Sequence, residues 1–275
     1  MEFLIRSKAL YTTWVFYKPD RILFDAGEGV SAELGNKIYG IEKIILTHSH
    51  VDHIAGLWGI VNTRNNAMGN RNKKLEIYYP QGSENINEYL KFIGKMNKRL
   101  RYEIDFREIT LSDTIPLNNK RFIKPFKTRH TPGETSFGYQ ILEQRKRLKE
   151  EYRELKESEI KDLIINKKED ILENYTANIL TISGDSLPIP PNFAKDCGTL
   201  LHECTFFDEK DRKIRNHTSL AELKNLINIS KPKRVIIYHV SSRYNSKIKS
   251  TKEELNEEFP DIQINIVHPE KVFKI

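Results

Sequence analysis

The stretch Thr47-His48-Ser49-His50-Val51-Asp52-His53 decides the reading of this chain, because it sets three imidazoles and one carboxylate within six residues, directly after the β-branched run Lys43 to Leu46. One histidine at a strand end is usually structural. Four metal-ligating groups in close succession have no packing rationale. In a loop at a strand end, His48 and His50 can turn toward one site while Asp52 and His53 reach an adjacent one. The loop therefore suits two divalent ions, and imidazole with carboxylate matches zinc best, with manganese, iron and cobalt as alternatives.

The same punctuation recurs along the chain. Arg21 to Phe24 runs into Asp25-Ala26-Gly27, Ile179 to Ile182 into Ser183-Gly184-Asp185, Thr199 to Leu201 into His202-Glu203-Cys204-Thr205, and Arg234 to Tyr238 into His239-Val240-Ser241-Ser242. Short strands ending on polar chemistry alternate with segments of helical periodicity at His53 to Asn62, Glu84 to Leu100 and Ser219 to Ile227, which predicts an α/β protein with helices covering sheet faces. Gln144 to Asn174 differs from the rest. It is crowded with Lys, Arg and Glu, contains neither Gly nor Pro, and reads as one long or two shorter exposed helices inserted at about 144–174, either a solvated face or an arm that grips substrate.

The bulk numbers fit one domain spanning residues 1–275, with 38% hydrophobic and 30% charged residues. No apolar run approaches the roughly 20 residues of a membrane span. The charged start at Glu2, Arg6 and Lys8 does not resemble a secretory signal, so a cytoplasmic address is expected. Cys197 and Cys204 are the only cysteines and fit neither a disulfide framework nor a zinc knuckle. A formal charge of +7 favours polyanionic partners without identifying one.

The loop from His48 to His53 is the His-x-His-x-Asp-His signature of the metallo-β-lactamase superfamily, and the chain resembles that superfamily from there onward. The resemblance implies a four-layered αββα sandwich with a dinuclear centre at one edge of its two sheets. It implies His48, His50, Asp52, His53, His130, Asp185 and His239 as metal ligands, with Asp185 bridging and Asp25 holding a ligating imidazole in one tautomer. Within the superfamily, His202-Glu203-Cys204-Thr205 and His217-Thr218-Ser219 resemble two boxes of the ribonuclease Z family, as do Ser136-Phe137-Gly138-Tyr139 after His130 and His239-Val240-Ser241-Ser242-Arg243-Tyr244. By that resemblance His217 is the general acid, Glu203 its orienting carboxylate and Asp52 the general base. Arg243 either approaches a phosphate or fixes its own loop.

The chain departs from that family in three places. Its first strand lacks the Gly-Thr-Gly stretch, Cys204 stands where the box has Ala, and Gln140 to Ala177 has no Gly-Pro arm motif. The expected activity is removal of the 3′ trailer of precursor tRNA by a zinc-dependent endoribonuclease, as a homodimer by resemblance. The alternatives are a small-molecule or cyclic-nucleotide phosphodiesterase and a non-catalytic RNA-binding scaffold.

Overall fold

Most strands carry apolar side chains on both faces, so each sheet has two surfaces to bury. The computed structural model describes residues 2–67, 73–118, 120–165 and 170–275. One sheet contains β1 (Phe3–Lys8), β2 (Thr12–Tyr17), β3 (Ile22–Phe24), β4 (Lys43–Ile45), β5 (Leu75–Pro80) and β6 (Ile104–Ile109) in that order, with β14 (Phe273–Lys274) beside β1. The other runs from β7 (Ile115–Pro116) through β8 (Arg121–Lys127), β9 (Phe137–Leu148), β10 (Leu172–Ile182), β11 (Thr199–Glu203) and β12 (Arg234–Tyr238) to β13 (Gln263–Ile266). β3 to β6 are parallel, as are β10 to β13.

Successive residues of one strand fall into different cores, as the period of two requires. Phe3, Ile5, Val15, Tyr17, Tyr139, Ile141, Leu201 and Ile236 pack between the sheets. Leu4, Trp14 and Phe16 face outward against α3 (Leu57–Ala67) and α4 (Glu84–Met96), which contribute Leu57, Ile60, Ile86, Leu90 and Ile93. Leu200, Val235 and Ile237 face the other way onto α7 (Leu220–Ser230) and α8 (Ile248–Glu258), through Leu223, Leu226, Ile227 and Leu255. With α1 (Val30–Leu34) in the first helical layer and α6 (Pro191–Ala194) in the second, three apolar layers between helix, sheet, sheet and helix make the four-layered αββα sandwich.

The helix expected over His53 to Asn62 is interrupted. α2 (Val51–Ile54) and α3 are separate, because Gly56 passes so close to the preceding loop that a Cβ there would lie 2.1 Å from the Gly27 carbonyl oxygen. A Cβ on Gly27 would in turn lie 2.3 Å from the Asp52 carbonyl oxygen. This pair of glycines presses the His48–His53 loop onto the end of β3.

The segment at 144–174 is not the expected run of helices. β9 and β10 continue as an antiparallel ribbon, with Arg145 opposite Tyr175, Lys146 opposite Asn174 and Arg147 opposite Glu173. Helix appears beyond the ribbon, as a 3-10 turn at Glu150–Tyr152 and the short α5 (Glu157–Ile165), and residues 166–169 lie outside the described ones. The reason is cross-strand pairing. Arg147 Nε donates to Glu173 at 2.7 Å, and its guanidinium lies over the Tyr175 ring, contacts between strands that local propensity does not register.

A buried cation ties α3 to the first sheet. Arg64, fully buried, donates to the carbonyl oxygens of Ile38 at 2.7 Å, Ile41 at 3.0 Å and Lys73 at 2.8 Å. Replacing it with Met keeps the apolar stem but leaves those acceptors without a donor. The expected loss is about 2–4 kcal/mol, read as a lower urea midpoint at unchanged m-value; a change under about 1 kcal/mol would mean that the stem, not the hydrogen bonds, supports α3.

Candidate metal centre

Parallel strands aim the chemistry at one edge. In open α/β sheets the crevice beyond the carboxyl ends of the strands is where ligands bind, and here β3, β10, β11 and β12 end directly before Asp25, Ser183, Cys204 and His239, and β4 two residues before Thr47. Asp25 and His239 take positive φ values of 55° and 59°, and Gly184, before Asp185, takes 65°. Non-glycine residues rarely adopt that region, and such strain concentrates at functional positions.

The structure brings His48, His50, Asp52, His53, His130, Asp185 and His239 together. His48, His50 and His130, with Glu134, present donor atoms within 4.8 Å of one another, and so do Asp52, His53, Asp185 and His239. Asp185 reaches from the second set toward the first, since it also groups with His130 and His217. Its Oδ2 lies 3.2 Å from His53 Nε2 and 3.1 Å from His239 Nε2. Asp52 stands at the rim, with Oδ2 3.6 Å from His239 Nε2.

Two buried carboxylates hold the rings, each in the same way. Asp25 Oδ2 takes the Nδ1 hydrogen of His53 at 2.7 Å and the Thr47 hydroxyl at 2.9 Å, and that hydroxyl meets His48 Nδ1 at 2.9 Å. Glu203 Oε1 lies 2.9 Å from His217 Nδ1, while its Oε2 accepts the Thr205 hydroxyl at 3.0 Å, which meets His239 Nδ1 at 2.9 Å. One carboxylate thus holds one imidazole directly and a second through a threonine, in both halves of the molecule. With Nδ1 of His130 3.0 Å from the Asn216 carbonyl, four rings have their tautomer fixed so that Nε2 is the free nitrogen.

That arrangement tests whether a metal fits. The Nε2 atoms of His48, His53 and His239 and Oδ1 of Asp185 are buried without a hydrogen-bond partner, a costly state for polar atoms unless a cation meets them. Asp25, Asp52, Asp185 and Glu203 have no Lys or Arg ion-pair partner among the described residues. Burial holds His48 well below the usual imidazole range and lowers His130, leaving lone pairs available. Burial alone would raise Asp185, but His239 and His53 outweigh it and hold the carboxyl well below its usual range. Burial opposes charge on His53, but Asp185 and Asp25 outweigh it and raise its pKa well above the usual range, so carboxylates and imidazoles here share a positive charge that a divalent ion would replace.

His217 is a different kind of residue. Burial disfavours its charge, yet the Glu203 carboxylate and their hydrogen bond outweigh that and raise its pKa to about 9. It stands on the residues leading into α7, whose N-terminus is fixed by a capping box. Ser219 Oγ accepts from Glu222 N at 3.3 Å, and Glu222 accepts from Ser219 N at 3.1 Å. A protonated imidazole is therefore carried to the edge of the clusters, its ring 4.7 Å from His130 and 5.2 Å from His239.

Other candidates lie apart. His202 is buried with Nδ1 on the Glu203 carbonyl and Nε2 accepting from Ile189 N, which ties the loop after β10 to β11. Arg243 stands 3.4 Å from Asp211, an ion pair within its own neighbourhood. Thr47, Thr205 and Glu134 were not singled out by sequence reading. A threonine at a strand end carries no signal of such a role; for Glu134, four residues after His130, the available signal is the Pro132-Gly133 pair just before it.

A family model described as the metallo-beta-lactamase superfamily matches residues 11–148. The ribonuclease Z of Ligilactobacillus salivarius (strain UCC118) is 30% identical to this chain, with 90% of this chain and 88% of that protein covered. The ribonuclease Z of Staphylococcus carnosus (strain TM300) is 29% identical, with 92% and 89% covered. Among solved structures, the short form of human tRNase Z is similar with a TM-score of 0.67 at 18% identity, over 100% of this chain and 99% of that one. The metallo-beta-lactamase fold protein YhfI of Bacillus subtilis is similar at 0.68 and 16%, over 99% and 98%. At such identities the structural likeness speaks for the fold.

Proposed function

Since the chain belongs to the metallo-beta-lactamase superfamily, and within it to the ribonuclease Z family, we propose that it is the metal-dependent endoribonuclease that removes the 3′ trailer of precursor tRNA. The observation that carries this reading is the Glu203–His217 pair at the edge of two metal-donor clusters, because cleavage of a bond to a ribose oxygen needs a proton donor as well as an activated water. Two divalent ions, zinc by the chemistry of the donors, would be held by His48, His50 and His130 and by Asp52, His53 and His239, with Asp185 between. Bound there, they supply an attacking water of lowered pKa and neutralise charge on phosphoryl oxygens.

The chain's own residues supply the rest. Asp52, at the rim, accepts the proton of the attacking water. His217 holds a hydrogen on Nδ1 against Glu203 and offers the other, on Nε2, to the departing oxygen. Asp25 and Glu203 keep the rings aligned through their threonines. A homodimer in the cytoplasm goes with this reading; among the described residues no helix is long and apolar enough to cross a membrane.

The ribbon of β9 and β10 is the proposed substrate arm. Much of its charge is already neutralised, Arg145 by Glu143 and both Arg147 and Arg153 by Glu173, while Lys146 has no ion-pair partner among the described residues. Zinc-loaded protein should cut precursor tRNA at its trailer, lose that activity to a chelator, and regain it with added zinc. Removing residues 144–174 should slow that cut roughly tenfold or more, about 1.4 kcal/mol of lost phosphate contacts, and spare turnover of a small aryl phosphodiester. Intact precursor with rapid turnover of the small diester would count for the small-molecule alternative.

A further inference from the structure

Four of the five clustered imidazoles share one arrangement, with Nδ1 against an oxygen and Nε2 free. His50 is reversed: its Nδ1 lies 3.2 Å from His130 Nε2, inside the first cluster, and its Nε2 lies 3.0 Å from Glu134 Oε2. From this reversal we propose that Glu134 is the positioning residue for His50, holding the hydrogen on Nε2 so that the Nδ1 lone pair faces the metal. The inference rests on the metal-centre reading above and deepens it, by naming the group that completes the set begun by Asp25, Glu203 and the Asn216 carbonyl.

The backbone delivers Glu134 to that place. Thr131-Pro132-Gly133-Glu134 forms a tight turn in which Glu134 N donates to the Thr131 carbonyl at 3.2 Å, with Gly133 at φ 83°. Proline followed by glycine in the left-handed region is the pattern of a type II turn, and it reverses the chain four residues after His130. The other carboxylate oxygen, Oε1, accepts from Ser49 N at 3.1 Å and from the Ser49 hydroxyl. Glu134 thereby joins the loop carrying His130 to the loop carrying His48 and His50. No Lys or Arg pairs with it among the described residues, and Oε2, buried without a partner in good hydrogen-bond geometry, is left facing His50 Nε2 at 3.0 Å. A carboxylate is acceptor-only, which fixes the proton on the facing nitrogen.

Glu134→Gln is the sharp test because it separates the two contacts. The amide oxygen can still accept from Ser49, but the NH2 group then meets His50 Nε2 as a donor and favours the opposite tautomer. In the full-length chain, zinc affinity measured by competition with a chromophoric chelator should fall about 10- to 100-fold at one position, the range for partners that orient a ligand. The ring nitrogens of His50, followed by 15N NMR, should show the hydrogen moving from Nε2 to Nδ1. In a His50→Ala background the same substitution should change affinity less than about twofold, as expected once the shared partner is gone. A melting temperature of the metal-free variant near that of the unaltered chain excludes simple unfolding as the cause. Wild-type affinity in Glu134→Gln, or a His50 hydrogen that stays on Nε2, overturns the assignment. A chain that binds zinc tightly but leaves precursor tRNA intact removes the RNA-processing reading instead, and affinity still decides the role of Glu134.

Discussion

Asp185→Asn should lose tight binding of both metal ions and at least about a thousandfold in kcat/KM, on the order of 4 kcal/mol. The reason is position. Asp185 is the group that belongs to the second donor cluster and also groups with His130 of the first, and its Oδ1 is buried without a hydrogen-bond partner. Asparagine keeps the volume and replaces one oxygen by an NH2 group, which cannot ligate and would point a donor at His53 or His239. Partners that merely orient a ligand cost roughly 10–100-fold, so losing a carboxylate between the two sets should cost more. The measurement is metal content after dialysis against limiting zinc, beside single-turnover rates on precursor tRNA. Two tightly held equivalents in Asp185→Asn would sink the bridging role, whatever the rate. Asp185 also pairs with His53 and His239, so the melting temperature of Asp185→Asn without added zinc separates a fold effect from lost ligation.

The contrast between what sequence shows and what it hides is physical. His48 to His53, Asp185, Glu203, His217 and His239 were visible because each sits just beyond a β-branched run or beside a capped helix start, where a polar residue has no reason to pack. The α/β class was legible because short β-branched runs alternate with segments of helical periodicity, and the four-layered sandwich followed from the resemblance carried by the His48–His53 loop. Thr47 and Thr205 were not legible. Threonine is ordinary at strand ends, and its part here depends on apposition of residues distant in sequence, Thr47 with Asp25 and Thr205 with His239. The 144–174 segment was read as helical because it has helix-forming residues and no breaker. Its strands exist because residues about 30 positions apart pair across a ribbon, a long-range contact that overrides local preference.

The second large effect separates proton donation from metal binding. His217→Ala should slow precursor tRNA cleavage roughly 10²- to 10⁴-fold, the range for a positioned general acid, while a diester with a p-nitrophenolate leaving group, which departs without a proton, should lose less than about tenfold. Metal content should not change. Glu203→Gln should show the same loss on RNA and, in addition, weaker metal binding, because Glu203 also supports His239 through Thr205. Its pH profile should move as well. Burial opposes the charge of His217, and Glu203 is what lifts its pKa to about 9; without that carboxylate burial prevails, and the basic limb of the rate profile should shift to lower pH. The linkage has the same sign: with a folded pKa above the usual unfolded value of about 6.5, His217 adds stability that is whole below that pH and is lost as pH rises through about 9. Equal losses of His217→Ala on RNA and on the aryl diester would place this imidazole in ligand or substrate positioning, and the proton would then have to come from another group.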